Sequence, residues 1–115
     1  MSTGLESLTI SDARDGLACG DFSSLELTQA RIGLMDAARN LNIFITETPE
    51  LAIKRAKNSD QRRAKGVLAS DMDGIPIAIK DLFCTEGIST TAGSRILDGY
   101  IPPYESTVSR NLNEA

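Results

Sequence analysis

The chain contains no histidine, which removes the Ser-His-Asp triad, the HExxH zinc site and most other zinc chemistry at once. Any acid–base catalysis must then rest on lysine, a carboxylate, tyrosine or cysteine. Tryptophan is also absent, and two tyrosines and three phenylalanines make a stacking platform for single-stranded nucleic acid a poor fit. Only two cysteines occur, Cys19 and Cys84, far apart and in no CxxC or metal-like spacing. They read as two reduced thiols in a cytosolic protein. No apolar run approaches the roughly 20 residues that span a bilayer. The stretch Met1–Ile10 lacks the basic start and apolar segment of a secretion signal. Internal repeats and low-complexity tracts are missing too.

What is present suits one small soluble domain. The chain has 115 residues, 41% hydrophobic and 24% charged, with a formal net charge of −4. That acidic balance argues against nucleic-acid binding driven by overall charge and leaves room only for a local basic patch.

The helical signals come first. Ile10, Ala13 and Leu17 recur at helical spacing, with Thr9 placed to cap and Gly20 to end the helix. Ser23-Ser24-Leu25-Glu26 is a capping box for the next helix, whose apolar stripe runs Leu27, Ala30, Leu34, Ala37, Leu41. Together these predict a helical hairpin over residues 1–42. Ile43-Phe44-Ile45-Thr46 is a short strand candidate. Thr48-Pro49-Glu50 opens another helix, with Thr48 as its expected cap. That helix runs into a basic stretch, Lys54, Arg55, Lys57, Arg62, Arg63 and Lys65, read chiefly as a solvated face and alternatively as a phosphate-contacting patch. Residues 67–73 read as a linker into a buried strand, Gly74–Ile79. Ser106 caps a last helical pattern, Val108, Leu112 and Ala115.

Lys80 is the chemical lead. It ends the apolar run Gly74-Ile-Pro-Ile-Ala-Ile79 and precedes Asp81 and a loop rich in Gly, Ser and Thr, Thr85–Ser94. An ammonium held at the edge of a core loses hydration, and its pKa falls towards that of a usable base. The competing reading is a surface lysine at a strand end, paired with Asp81 or Asp73. Cys84, four residues on, reads as an inert half-buried thiol rather than an activated one. Ser89, Thr90, Thr91 and Ser94 offer hydroxyls, but no Gly-x-Ser-x-Gly elbow or P-loop frames them.

The run Gly74-Ile-Pro-Ile-Ala-Ile-Lys-Asp-Leu-Phe-Cys-Thr-Glu-Gly87, continuing Thr90-Thr-Ala-Gly-Ser-Arg-Ile-Leu97, closely resembles the amidase signature family. Tyr100-Ile-Pro-Pro-Tyr-Glu-Ser-Thr-Val108 resembles the block that follows in that family. The resemblance is most specific between Gly74 and Val108 and thins out before Leu41. It implies an α/β fold with a large mixed sheet flanked by helices, residues 43–115 beginning that α/β core. It also implies a Ser-cisSer-Lys triad that hydrolyses an amide, with Lys80 as the lysine passing protons through a bridging serine to a nucleophilic serine. The scheme implied by the resemblance replaces imidazole with a neutral amine, which fits a chain without histidine.

In the family's amidotransferase branch, glutamine would supply ammonia and other subunits would use it to amidate misacylated tRNA. ATP and Mg would be used by the partner subunit, so no cofactor is expected in this chain. Both triad serines lie downstream in the family, in a Gly/Ser-rich segment, and no Gly-Gly-Ser-Ser-Gly-Gly-like stretch occurs here. The chain therefore reads as the N-terminal portion of a single amidase domain, apparently truncated at Ala115. By itself it is expected to be inactive and poorly stable or self-associating. Part of a stand-alone amidase, a non-catalytic interaction module and Schiff-base chemistry at Lys80 are the alternatives.

Overall fold

The computed structural model describes residues 4–115, so the first three residues of the stretch read for a secretion signal lie outside the described residues. The chain divides into two compact units between Pro76 and Ile77. In the first, α1 (Ile10–Cys19), α2 (Ser24–Ala37) and α3 (Pro49–Ala64) follow in order, with single 3-10 turns at Leu5–Ser7 and Arg39–Leu41. The second holds a 3-10 turn at Arg95–Leu97 and a short helix, α4 (Thr107–Glu114).

Local sequence sets the helix starts. Thr9 and Asp12 close a capping box at α1, and the left-handed Gly20 ends that helix by returning its N–H to the Gly16 carbonyl. The Thr9 hydroxyl, followed by its N–H, holds the Asp12 carboxyl below its ordinary pKa. Ser23 and Glu26 close a second box at α2, and the Ser23 N–H is the main cause of a lowered Glu26 pKa. The first four amides of α2 are all satisfied. Ser24 and Leu25 donate to the two carboxylate oxygens of Asp60 at 2.8 and 3.0 Å. Glu26 donates to the Ser23 hydroxyl at 3.1 Å, and Leu27 to the Ser23 carbonyl at 3.1 Å. Asp60 belongs to α3, so one carboxylate ties the end of α2 to the middle of its neighbour.

Burial is modest and concentrated. Ala13, Leu17 and Leu27 form a buried cluster, with Leu5, Leu8, Phe22 and Ile75 packed against it. Arg31 of α2 reaches back to the carbonyls of Glu6 and Leu8 at 2.6 and 2.9 Å and fastens the N-terminal segment over this cluster. The apolar stripe of α2 is covered only at its start. Leu27 is buried, whereas Leu34, Ala37 and Leu41 are exposed.

The segment after α3 is folded back by an ion pair. Asp73 is 3% exposed and accepts from the Arg62 guanidinium at both oxygens, 2.8 Å to Nε and 2.6 Å to Nη2. The Ala69 N–H adds a third bond to the same carboxylate at 3.1 Å, and Arg63 takes the Asp73 carbonyl at 2.9 Å. The Arg62 hydrogen bonds hold the Asp73 carboxyl far below the usual carboxylate range, against the opposing effect of burial. The next residue, Gly74, turns with φ +97° and passes its carbonyl to the Ser24 hydroxyl at 2.7 Å. A Cβ at this position would stand 2.5 Å from the Ser59 hydroxyl and 3.0 Å from that of Ser24. Only glycine fits both the angle and the space.

Four expectations change. Neither Ile43–Thr46 nor Gly74–Ile79 forms a strand, and no strand is present among the described residues. The Ile75 N–H goes to the Met72 carbonyl at 3.2 Å, a turn bond rather than a ladder bond. Ile43 and Ile45 are exposed, and Ile77 is 48% exposed. Thr48 does not cap α3 with its hydroxyl; its carbonyl accepts from Ala52 while Pro49 fills the first helical position. The basic stretch is not one solvated face, because Arg62 and Arg63 turn inward to Asp73. The linker 67–73 is held by that same residue.

The ionised Asp73 stabilises the fold fully above its unfolded pKa of about 3.9, and that contribution is lost as pH falls towards the lower folded value. Asp73→Asn is expected to flatten the acid limb of stability below about pH 5 and to cost about 2–3 kcal/mol at neutral pH. Urea melts across pH test this; an unchanged acid limb in the variant would refute it. Gly74→Ala is expected to destabilise by about 1 kcal/mol or more in the same melts, through left-handed strain and the close Ser59 hydroxyl. Wild-type stability in that variant would overturn the account of the turn.

Candidate active-site lysine and its loop

Lys80 lies in the second unit, exposed, on a turn whose hydrogen bond runs from the Phe83 N–H to the Lys80 carbonyl at 3.1 Å. The carboxylates expected to pair with it are committed elsewhere. Asp73 is held by Arg62. Asp81 accepts from the Thr91 N–H at 3.0 Å and from the Thr91 hydroxyl. The Asp81 carbonyl adds a bond from Ala92 N–H at 2.7 Å. The residue next to the lysine thus grips the far side of the Gly/Ser/Thr loop.

That loop is built, not slack. Gly87 donates to the Pro102 carbonyl and Thr90 to that of Tyr100, at 3.1 and 3.0 Å, so residues 87–90 run beside 100–102. Thr85 and Thr90 are buried, and each turns its hydroxyl onto a carbonyl two residues back, Phe83 and Ile88. Ala92 adopts φ +49°, a left-handed turn unusual for a residue with a side chain, clamped by its bond to Asp81. From the other end, Ser106 N–H and the buried Ser109 hydroxyl both donate to the Cys84 carbonyl, at 2.7 and 2.8 Å.

The serines of this unit are largely occupied with structure. Ser94 accepts from Ile96 N–H at the 3-10 turn, and Ser106 accepts from Ser109 N–H to cap α4 as expected. Ser109 is fully buried and also bonds to the Glu105 carboxylate. Cys84 is half-buried, with Sγ 3.7 Å from the Tyr104 hydroxyl. Hydrogen bonding to Cys84 and then to Tyr100 favours the neutral phenol and pushes Tyr104 up to about 12. The Asp81 brace, the Ser109 anchor and the Cys84–Tyr104 contact were not anticipated. The Asp81–Thr91 spacing carries no motif, and only the tertiary turn brings the pair together. Among the described residues, no group of three or more Cys, Asp or Glu side chains gathers as a metal site would need.

An exposed lysine followed by an aspartate-braced Thr/Gly/Ser loop stands here within a longer match. Residues 24–115 match the family model for Amidase, and the chain belongs to that family. It is 60% identical over 114 residues to the glutamyl-tRNA(Gln) amidotransferase A-subunit of Rhodospirillum rubrum, covering 99% of this chain and 23% of that protein. The A-subunit of Paramagnetospirillum magneticum is 60% identical over 111 residues, covering 96% of this chain and 22% of its own length. That of Caulobacter sp. is 54% identical over 110 residues, covering 96% of this chain and 22% of its own length. The likeness extends well upstream of Leu41. The chain spans less than a quarter of the length of these curated relatives.

Two measurements check the loop. Asp81→Ala is expected to speed amide exchange at Thr91 about tenfold or more, because a hydrogen bond to a charged acceptor is worth about 1.5–3 kcal/mol. Unchanged exchange would remove Asp81 from its bracing role. A tyrosinate titration should show Tyr104 ionising near 12 and Cys84→Ala bringing it down. A profile that the variant does not alter would contradict the contact.

Proposed function

We propose that this chain supplies the lysine of an amidase Ser-cisSer-Lys triad, Lys80, within the amidase-type subunit of a glutamine-hydrolysing amidotransferase. The observation that carries the reading is the family match across residues 24–115, with the Gly74–Val108 block intact around Lys80. In the complete enzyme a neutral Lys80 amine would draw a proton, through the bridging serine, from the nucleophilic serine. That serine would attack the side-chain amide of glutamine, and ammonia would leave as the acyl-enzyme forms. Water would then release glutamate. Other subunits, using ATP and Mg, would add the ammonia to misacylated Glu-tRNA(Gln) or Asp-tRNA(Asn) in the cytoplasm. The strands absent from this structure would form against the mixed sheet of the whole domain, for which the exposed isoleucines of 43–46 and 77 are suited.

The 115-residue chain alone is expected to hydrolyse no glutamine. Ser94, Ser106 and Ser109 are engaged in capping and anchoring bonds, which supports this. Part of a stand-alone amidase is the second reading, favoured by the family model itself, which matches on amidase character alone.

The test joins this chain to the downstream part of the Rhodospirillum rubrum relative and measures ammonia release from glutamine. The fusion is expected to be active with partner subunits, and Lys80→Ala to lower kcat about 10³-fold or more, as loss of a triad member does. A fusion whose activity ignores Lys80 would overturn the assignment. Activity on simple amides but not on glutamine would select the stand-alone reading.

A further inference from the structure

Lys80 stands on backbone that its neighbour holds in place. Asp81 spends both carboxylate oxygens on Thr91, one on its N–H and one on its hydroxyl. Its carbonyl takes the Ala92 N–H at 2.7 Å. The Thr91 hydroxyl oxygen in turn accepts from the Gly93 N–H at 3.2 Å, so the clamp reaches three successive residues. Among the described residues, only these Asp81 bonds join 80–82 to a distant part of the chain, since the Phe83–Lys80 bond is local. The rest of the loop is closed without them, by Gly87 and Thr90 on 100–102 and by Ser106 and Ser109 on Cys84. Ala92 keeps its φ of +49° at the far side of the clamp, a strain that persists only where the surroundings fix the backbone firmly.

We propose that Asp81, on the reading of Lys80 as the triad lysine given above, is a positioning residue for that lysine, with Thr91 as its counterpart. A base has to come within about 3 Å of the proton it takes, and a displacement of about 1 Å can cost about 10²-fold in rate. Lysine carries its amine on a flexible four-carbon stem, so fixing the backbone beneath it removes one source of misplacement. A carboxylate suits this task, because its bonds to an N–H and a hydroxyl are charge-assisted and directional. Asp81 touches neither substrate nor reacting atoms in this scheme and acts only through Lys80. A brace whose sole purpose was to close the loop would duplicate bonds that already close it elsewhere.

Two measurements test it. In the fusion described above, with its partner subunits, Asp81→Ala and Thr91→Val are expected to lower kcat for glutamine about tenfold or more and to leave KM within about twofold. Thr91→Ser keeps the hydroxyl and should stay within about twofold of the parent. Added to Lys80→Ala, Asp81→Ala should cost no further kcat, because a residue that acts through another is non-additive with it. A merely structural brace would lower activity in both backgrounds alike. In the 115-residue chain, ¹⁵N relaxation should give Lys80 a backbone order parameter of about 0.85, falling below about 0.6 in Asp81→Ala. This second measurement needs no catalytic activity. Full kcat in Asp81→Ala while Lys80→Ala is crippled, additive losses, or a Lys80 backbone that stays rigid in Asp81→Ala would each overturn the positioning role alone. Activity that ignores Lys80 would overturn the triad assignment and the positioning role with it.

Discussion

The first unit depends on a bidentate contact between Arg62 and Asp73. Without it the residues after α3 have no reason to fold back, since the segment 65–73 contains little apolar surface that is buried. The contact does three things at once. It neutralises a carboxylate that is almost wholly removed from water, and it closes the loop through the Ala69 N–H. It also delivers Gly74 to the start of α2, where Ser24 receives its carbonyl. Half-exposed Arg62 keeps part of its hydration, so the desolvation cost falls mainly on the aspartate, where three hydrogen bonds offset it.

Much of the helical half of the fold was legible in the sequence, because capping is a local affair. Ser23 with Glu26, Thr9 before α1, Gly20 after it and Ser106 before α4 all act within four residues of their partners. Three of those caps use hydroxyls, whose short reach makes the pattern dependable. The strands and the basic stretch were not legible, for the same reason in reverse. A run such as Ile75-Pro76-Ile77 shows an appetite for burial, but pairing needs another backbone at the right distance. In the same way, six basic residues in twelve positions cannot announce which of them meet an aspartate eleven residues downstream.

Lys80 is a different case. Position alone left it between a base and a solvated bystander, and its exposure here is what a bystander would show. The family match takes in Lys80 together with the loop that follows it. That loop is braced from Asp81 at one end and Cys84 at the other before any second half of a domain is considered. A segment already held at both ends needs little further ordering when neighbouring parts of a domain are added to it.

The carboxylate of Asp60 has a kinetic consequence. It closes the amide end of α2 from a position 36 residues later in the chain. The amides of Ser24 and Leu25, which in an isolated α2 would turn to water, gain protein partners only once α3 has docked. The two helices are therefore coupled through one carboxylate, and the intervening loop has to close before the start of α2 gains its full set of protein partners.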